Sequence, residues 1–172
     1  MHKAHGFTIV ELLIVIVVIA ILAALSYVGY TSISNRAHDA AVQSDLANIA
    51  KKMKTLKIED PNDRYPRGNI ELEKLQIKIS TSSYDTTDAY YNLLGCIPTS
   101  TPILGNHFAF IAQSKSGKYF YVSDVGSVKE YTSGTLLGGT DINTYCAQVN
   151  PTTGLGYGAG YLRTEGWRSW TQ

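Results

Sequence analysis

Residues 7–28 form an almost unbroken apolar run, and a chain that carries one must find lipid or protein to cover it. As a helix rising about 1.5 Å per residue, these positions reach roughly 33 Å, enough to cross the hydrocarbon core of a bilayer. Glu11 interrupts the run. A carboxylate at the centre of a membrane helix costs about 2.5–3.5 kcal/mol. Near the end the cost is lower, because the side chain reaches the headgroups and the positive end of the helix dipole favours it. Those effects explain why Glu11 is tolerated and give it no use. Lys3, on the short upstream side, favours keeping that end in the cytoplasm.

A use emerges if the chain is cut between Gly6 and Phe7. The new α-amino group, protonated below a pKa of about 8, lies one helical turn from Glu11 of its own chain. It is equally open to Glu11 of a neighbour. An ion pair between chains would then set the stagger of adjacent helices.

The segment Gly6-Phe7-Thr8-Ile9-Val10-Glu11-Leu12-Leu13, after a short leader with a positive charge and ahead of an apolar run, resembles the processing signal of type IV pilins and type II secretion pseudopilins. The resemblance implies that a membrane aspartyl protease, the prepilin peptidase, cuts after Gly6 and methylates the amine of Phe7. It further implies that Glu11 neutralises that amine on a neighbour during assembly. Implied with these are a homo-oligomeric helical filament, an assembly platform and minor pilins as partners, and a single-pass cytoplasmic membrane protein that becomes an extracellular pilus. Such fibres serve adhesion, twitching motility or DNA uptake, so DNA or a host-cell surface is a further partner. A minor pilin with a binding role at the fibre tip and a secretion pseudopilin are the alternative readings. An ordinary secretory signal peptide shares the basic start, the apolar core and the small-residue neighbourhood Ala23-Ala24-Leu25-Ser26. Against it stand Glu11 and a helical pattern that continues past Ser26.

That continuation places Val42, Leu46, Ile49, Met53 and Leu56 at a spacing of four and three, one stripe of an amphipathic helix. Asp60-Pro61-Asn62-Asp63 stops it, since proline cannot continue the hydrogen-bond ladder. A single helix over residues 7–57 is too long to be buried by one small domain. Its first half requires lipid or sister subunits, its second half the domain. Many pilins carry a proline near position 28; this chain has Ser26 and Gly29 there instead, and glycine loosens a helix turn. Lys51, Lys52, Lys54 and Lys57 cluster near the helix end. They read either as a solvated face that complements the dipole or as a contact for DNA, anionic lipid or an acidic subunit.

Beyond residue 58 the rhythm shortens. Arg64-Tyr65-Pro66 followed by Ile70 to Leu75 predicts a loop and a short helix, similar to the connector of many pilins. Residues 107–112 and 118–123, rich in aromatic and β-branched side chains and joined through Ser116-Gly117, predict a hairpin, with a third strand over 127–131. The expected fold is α+β: a long N-terminal helix, membrane-spanning in its first half, packed through its second half on a small antiparallel sheet. The expected divisions are a leader (1–6), a membrane or filament-core helix (7–28), its amphipathic continuation (29–57) and a globular head (58–172). The tail around Gly154 to Tyr161, with Trp167 and Trp170 nearby, reads as a surface loop whose aromatics pack on the sheet or make contacts. Gly154, Gly156 and Ala159 loosely fit a dinucleotide fingerprint, but no strand leads into them and no helix follows.

Length and composition suit one domain plus one extra element. Residues 1–57 hold six Lys/Arg against three Asp/Glu, residues 58–172 nine against eleven, so no whole-chain field points to nucleic acid. Cys96 and Cys146 lie beyond the apolar run. If that side is extracytoplasmic they read as one disulfide closing a long loop, and otherwise as two buried thiols. His2 and His5 fall in the leader, and His38 and His107 stand far apart with no cysteine or carboxylate at ligand spacing. Neither a metal site nor a nucleophile-base pair is visible, and no cofactor or catalytic residue is expected. Asp141 and Asn143 suggest a calcium loop, as in some pseudopilins, without an EF-hand pattern to support it.

Overall fold

The computed structural model describes residues 8–87, 91–98, 105–132, 142–150 and 157–172. Two compact units are present, one ending at Arg36 and one running from Ala37 to Gln172. Among the described residues the first contains only Thr8 and the start of helix α1 (Ile9–Glu59), an uninterrupted helix that passes through Ser26 and Gly29. Ser26 donates its hydroxyl to the Leu22 carbonyl at 2.8 Å, which occupies the side chain within the helix.

In the second unit, α1 ends one residue before Asp60-Pro61. The chain then turns through Arg64-Tyr65-Pro66 into a short helix α2 (Gly68–Leu72) continued by a 3-10 turn (Glu73–Leu75), the expected connector. The expected hairpin is strand β2 (Ala109–Gln113) paired with β3 (Tyr119–Ser123), and the third strand is β4 (Lys129–Tyr131). Two further strands extend the sheet on the other side: β1 (Leu93–Cys96) and β5 (Tyr157–Ala159). The order is β4-β3-β2-β1-β5, with antiparallel neighbours throughout. The tail is therefore no plain surface loop, since it supplies an edge strand.

Residues i and i+2 of a strand share a face, and here both faces are used. Leu93, Phe110, Ala112, Phe120 and Val122 form one core with the α1 stripe Val42, Leu46, Ile49 and Met53, all buried; Leu56 completes the stripe half-buried. Leu94, Cys96, Ala109, Ile111 and Ala159 form the other, beneath helix α3 (Ile142–Val149), which contributes Cys146. β2, at the centre, is buried at every residue, as a strand covered on both faces must be.

The chain closes through β6 (Tyr161–Leu162), β7 (Gly166–Trp167) and a final 3-10 turn (Ser169–Thr171). Trp170 is buried in the first core and Trp167 packs against it, so these aromatics take the packing role. Two glycines permit the close approach of the tail. A Cβ at Gly158 would lie 2.2 Å from Leu72 Cδ1, and one at Gly160 would lie 2.6 Å from Leu93 Cδ2.

Candidate assembly site

The first turn of α1 holds the one acid of the apolar half. Thr8 precedes the helix and Glu11 is its third residue, the S/T-x-x-E spacing of a capping box. Glu11 Oε2 accepts the Thr8 backbone N–H at 2.8 Å and the Thr8 hydroxyl at 2.7 Å, while Glu11 N–H donates to Thr8 Oγ1 at 3.3 Å. The Thr8 carbonyl accepts from Leu12 N–H, the first bond of the ladder. Among the described residues, Glu11 Oε1 has no partner. A carboxylate has roughly four acceptor positions, so Glu11 retains the capacity to receive a cation. Gly6 and Phe7, the expected cleavage and methylation residues, lie outside the described residues.

Downstream of this box, the large apolar side chains from Ile9 to Ile33 are exposed, with Ile9 at 82% and Ile33 at 71%. The helix is long and apolar enough to cross a membrane. An exposed apolar surface of this extent far exceeds what a soluble monomer leaves to water.

Cys96 and Cys146 are joined in a disulfide with Cα atoms 5.5 Å apart, tying α3 to β1. Of the lysine cluster, Lys57 is engaged, 3.7 Å from Asp63 and 4.9 Å over the Tyr65 ring; Lys51, Lys52 and Lys54 are exposed. His107 has no carboxylate at ligand spacing in sequence, and the fold supplies one from further along the chain. The β2-β3 hairpin brings its Nδ1 to 2.8 Å from Asp124 Oδ2, and Asn150 Nδ2 donates to the other oxygen of Asp124 at 3.0 Å. His38 Nδ1 lies 3.2 Å from Ser83 Oγ, so the two histidines serve separate local links. Gly154, Gly156 and Asp141 lie outside the described residues.

Two acids on α1 were not singled out from the pattern. Asp39 bonds the Ser116 hydroxyl, and Asp45 accepts Ser80 N–H at 2.8 Å and the Tyr84 hydroxyl at 3.1 Å, both from the buried side of the helix. Burial pushes the Asp45 carboxyl above its usual range against the pull of those donors. Burial, then the charge of Asp45, pushes the Tyr84 hydroxyl well above its usual range. These groups anchor loops to α1. Thr8 was also overlooked as a partner of Glu11, although the Thr-x-x-Glu spacing carries the signal.

Residues 1–27 match the family described as the prokaryotic N-terminal methylation motif, the signal motif of type IV pilins and pseudopilins. That motif implies processing by prepilin peptidase and assembly into a pilus or pseudopilus. No curated protein and no solved structure matches the chain.

Proposed function

We infer that the chain is the structural subunit of a type IV pilus, cut after Gly6, methylated on Phe7 and added to a helical filament of identical copies. The observation that carries this reading is the conjunction on one helix of an uncovered apolar surface from Ile9 to Ile33 and a single acid fixed in its first turn. Burial of apolar surface is favourable by about 25 cal/mol per Å². Lipid supplies that cover in the precursor, and the helices of neighbouring copies supply it in the fibre.

Glu11 gives the transfer its specificity. A carboxylate moved into an apolar bundle needs a cation, and the amine of Phe7 on the neighbouring copy provides one at the same depth. The prepilin peptidase, the assembly platform and minor pilins act on the chain in this scheme, and adhesion, twitching motility and DNA uptake are the tasks open to the fibre. A pseudopilin shares the matched motif. Deletion that blocks export of a secreted protein and leaves surface pili intact favours that second reading. For the first, N-terminal analysis of sheared surface filaments is expected to show N-methylated Phe7, and a chain starting near Tyr27 overturns it.

A further inference from the structure

In the second unit, three large apolar side chains stand exposed among the described residues: Ile58 at 84%, Ile70 at 85% and Val125 at 77%. Val125 precedes Gly126, which lines a groove of about 330 Å³ between α1 and the turn from β3 to β4. Ala47, Ala50, Lys51 and Lys54 form one wall, and Val122 and Val128 stand in the other. The groove is thus apolar with two ammonium groups on its rim. Neither lysine has a carboxylate within ion-pair distance among the described residues.

Helix geometry explains why they stay unpaired. Side chains meet at i+3 and i+4 on a helix, and like charges at that spacing repel. Lys51 and Lys54 are so placed against each other, and Thr55 and Ile58 occupy the i+4 positions where an acid could answer them. Glu59, at the end of the same helix, is exposed and has no base within ion-pair distance among the described residues. Its own i−3 and i−4 neighbours are Leu56 and Thr55. One helix therefore displays a basic apolar groove and an acidic apolar end that cannot satisfy each other within the chain.

We propose that the groove receives a second copy of this chain, Ile58 of one copy seating between Ala50, Val122 and Val128 of the next, with its Glu59 carboxylate between Lys51 and Lys54. The proposal rests on the filament reading above. Groove and helix end are different surfaces, so the contact is heterologous, the kind that extends into an open filament when the rotation between copies does not close a ring. It supplies the globular units with a contact of their own, charge-matched and separate from the apolar helix surface.

The test uses filaments sheared from cells that produce the full-length chain. Lys54→Cys copies and Glu59→Cys copies are co-expressed and treated with a short bis-maleimide. Cross-linked dimers are expected from the mixed filaments and from neither variant alone. Lys51→Glu with Lys54→Glu is expected to lower filament yield about five-fold, and adding Glu59→Lys to restore it. No cross-link in mixed filaments whose chains begin at Phe7 overturns the contact and leaves the filament reading standing. Cross-linking of Lys54→Cys alone overturns it in favour of a symmetric contact. Reversed lysines that leave filament yield unchanged and abolish retention on duplex DNA overturn it in favour of a polyanion. Chains that do not begin at Phe7 overturn the filament reading itself.

Discussion

Glu11 and Thr8 bind each other reciprocally at the start of α1, the Glu11 carboxylate taking both donors of Thr8 at 2.8 and 2.7 Å. The acid that an apolar run has least reason to contain therefore also caps the N-terminus of the helix, satisfying a backbone N–H that lipid could not. The same pairing holds the carboxylate in one rotamer, which matters if it must meet an amine on another chain at a fixed stagger.

Thr8→Val removes the hydroxyl and keeps the shape. Loss of an N-cap costs about 1 kcal/mol, and Glu11 is left with one donor where it had two. Cleavage after Gly6 is expected to proceed and the sheared-filament fraction to fall about five-fold, with Thr8→Ser close to wild type. Glu11→Gln is expected to be processed and left in the membrane. Immunoblots of processed chain in membrane and sheared fractions check both. Equal filament yield for Thr8→Val would reduce the capping box to a local helix end.

The legible parts of this chain are those set by local pattern. The spacing of Val42, Leu46, Ile49 and Met53 gives the buried stripe, Asp60-Pro61 gives the stop, and the aromatic runs either side of Ser116-Gly117 give the hairpin. Strand β1 was not legible because Leu93-Leu94-Gly95-Cys96 is short, buried at every residue and broken by glycine, so it shows no alternation. β5 hides in a glycine-rich tail, and its glycines reflect the closeness of Leu72 and Leu93, which arrive from distant positions. Asp39 and Asp45 look like solvated helix residues until partners 77 and 35 residues away bury them. Of the candidate assembly site, the motif around Glu11 was readable, and Thr8 as the partner of Glu11 was readable from the same four residues.

Asp45 makes the head sensitive to acid in the direction opposite to an exposed salt-bridged aspartate. Its carboxyl is raised by burial. Between the unfolded value of about 3.9 and the raised folded value, the folded state binds more protons. Stability is then fullest below that window and falls as pH rises through it. Asp45→Asn lacks this term and is expected to gain on wild type as pH rises from the unfolded value of about 3.9 through the raised folded value, in denaturant unfolding of the full chain in detergent. Asp45→Ala leaves the Ser80 N–H and the Tyr84 hydroxyl without their acceptor and is expected to cost about 2–3 kcal/mol. A gap between wild type and Asp45→Asn that does not move with pH would contradict this account.

The disulfide between Cys96 and Cys146 spans 50 residues and ties α3 to β1, the neighbour of the edge strand β5. Chain-entropy reasoning gives a link of this span about 4 kcal/mol. Cys96→Ala with Cys146→Ala, or reduction of the wild type, is expected to lower stability by an amount of that order and to speed amide exchange over residues 142–150. Exchange in the core of α1 around Leu46 and Ile49 is expected to change less. Uniform loss of protection would show that the link supports the whole head.

Two glycines predict opposite responses to alanine. At Gly160 a Cβ would lie 2.6, 2.8 and 3.1 Å from Leu93 Cδ2, Cγ and Cβ, so the buried Leu93 side chain must rotate and its Cβ, which rotation does not move, must still give way. The residue also donates its N–H to the Leu93 carbonyl and accepts from Arg168 N–H, both at 2.8 Å, which joins β1 to the segment carrying Trp170. Gly160→Ala is expected to cost about 1–3 kcal/mol. Gly29 lies inside α1, and a Cβ there meets nothing within 4 Å. Gly29→Ala is expected to stiffen the helix by about 0.5–1 kcal/mol. Thermal unfolding of both full-length variants in detergent, followed by circular dichroism, separates them. If Gly160→Ala melts with wild type, the tail is not held against β1 through that backbone, and the placement of Trp170 in the core needs another support.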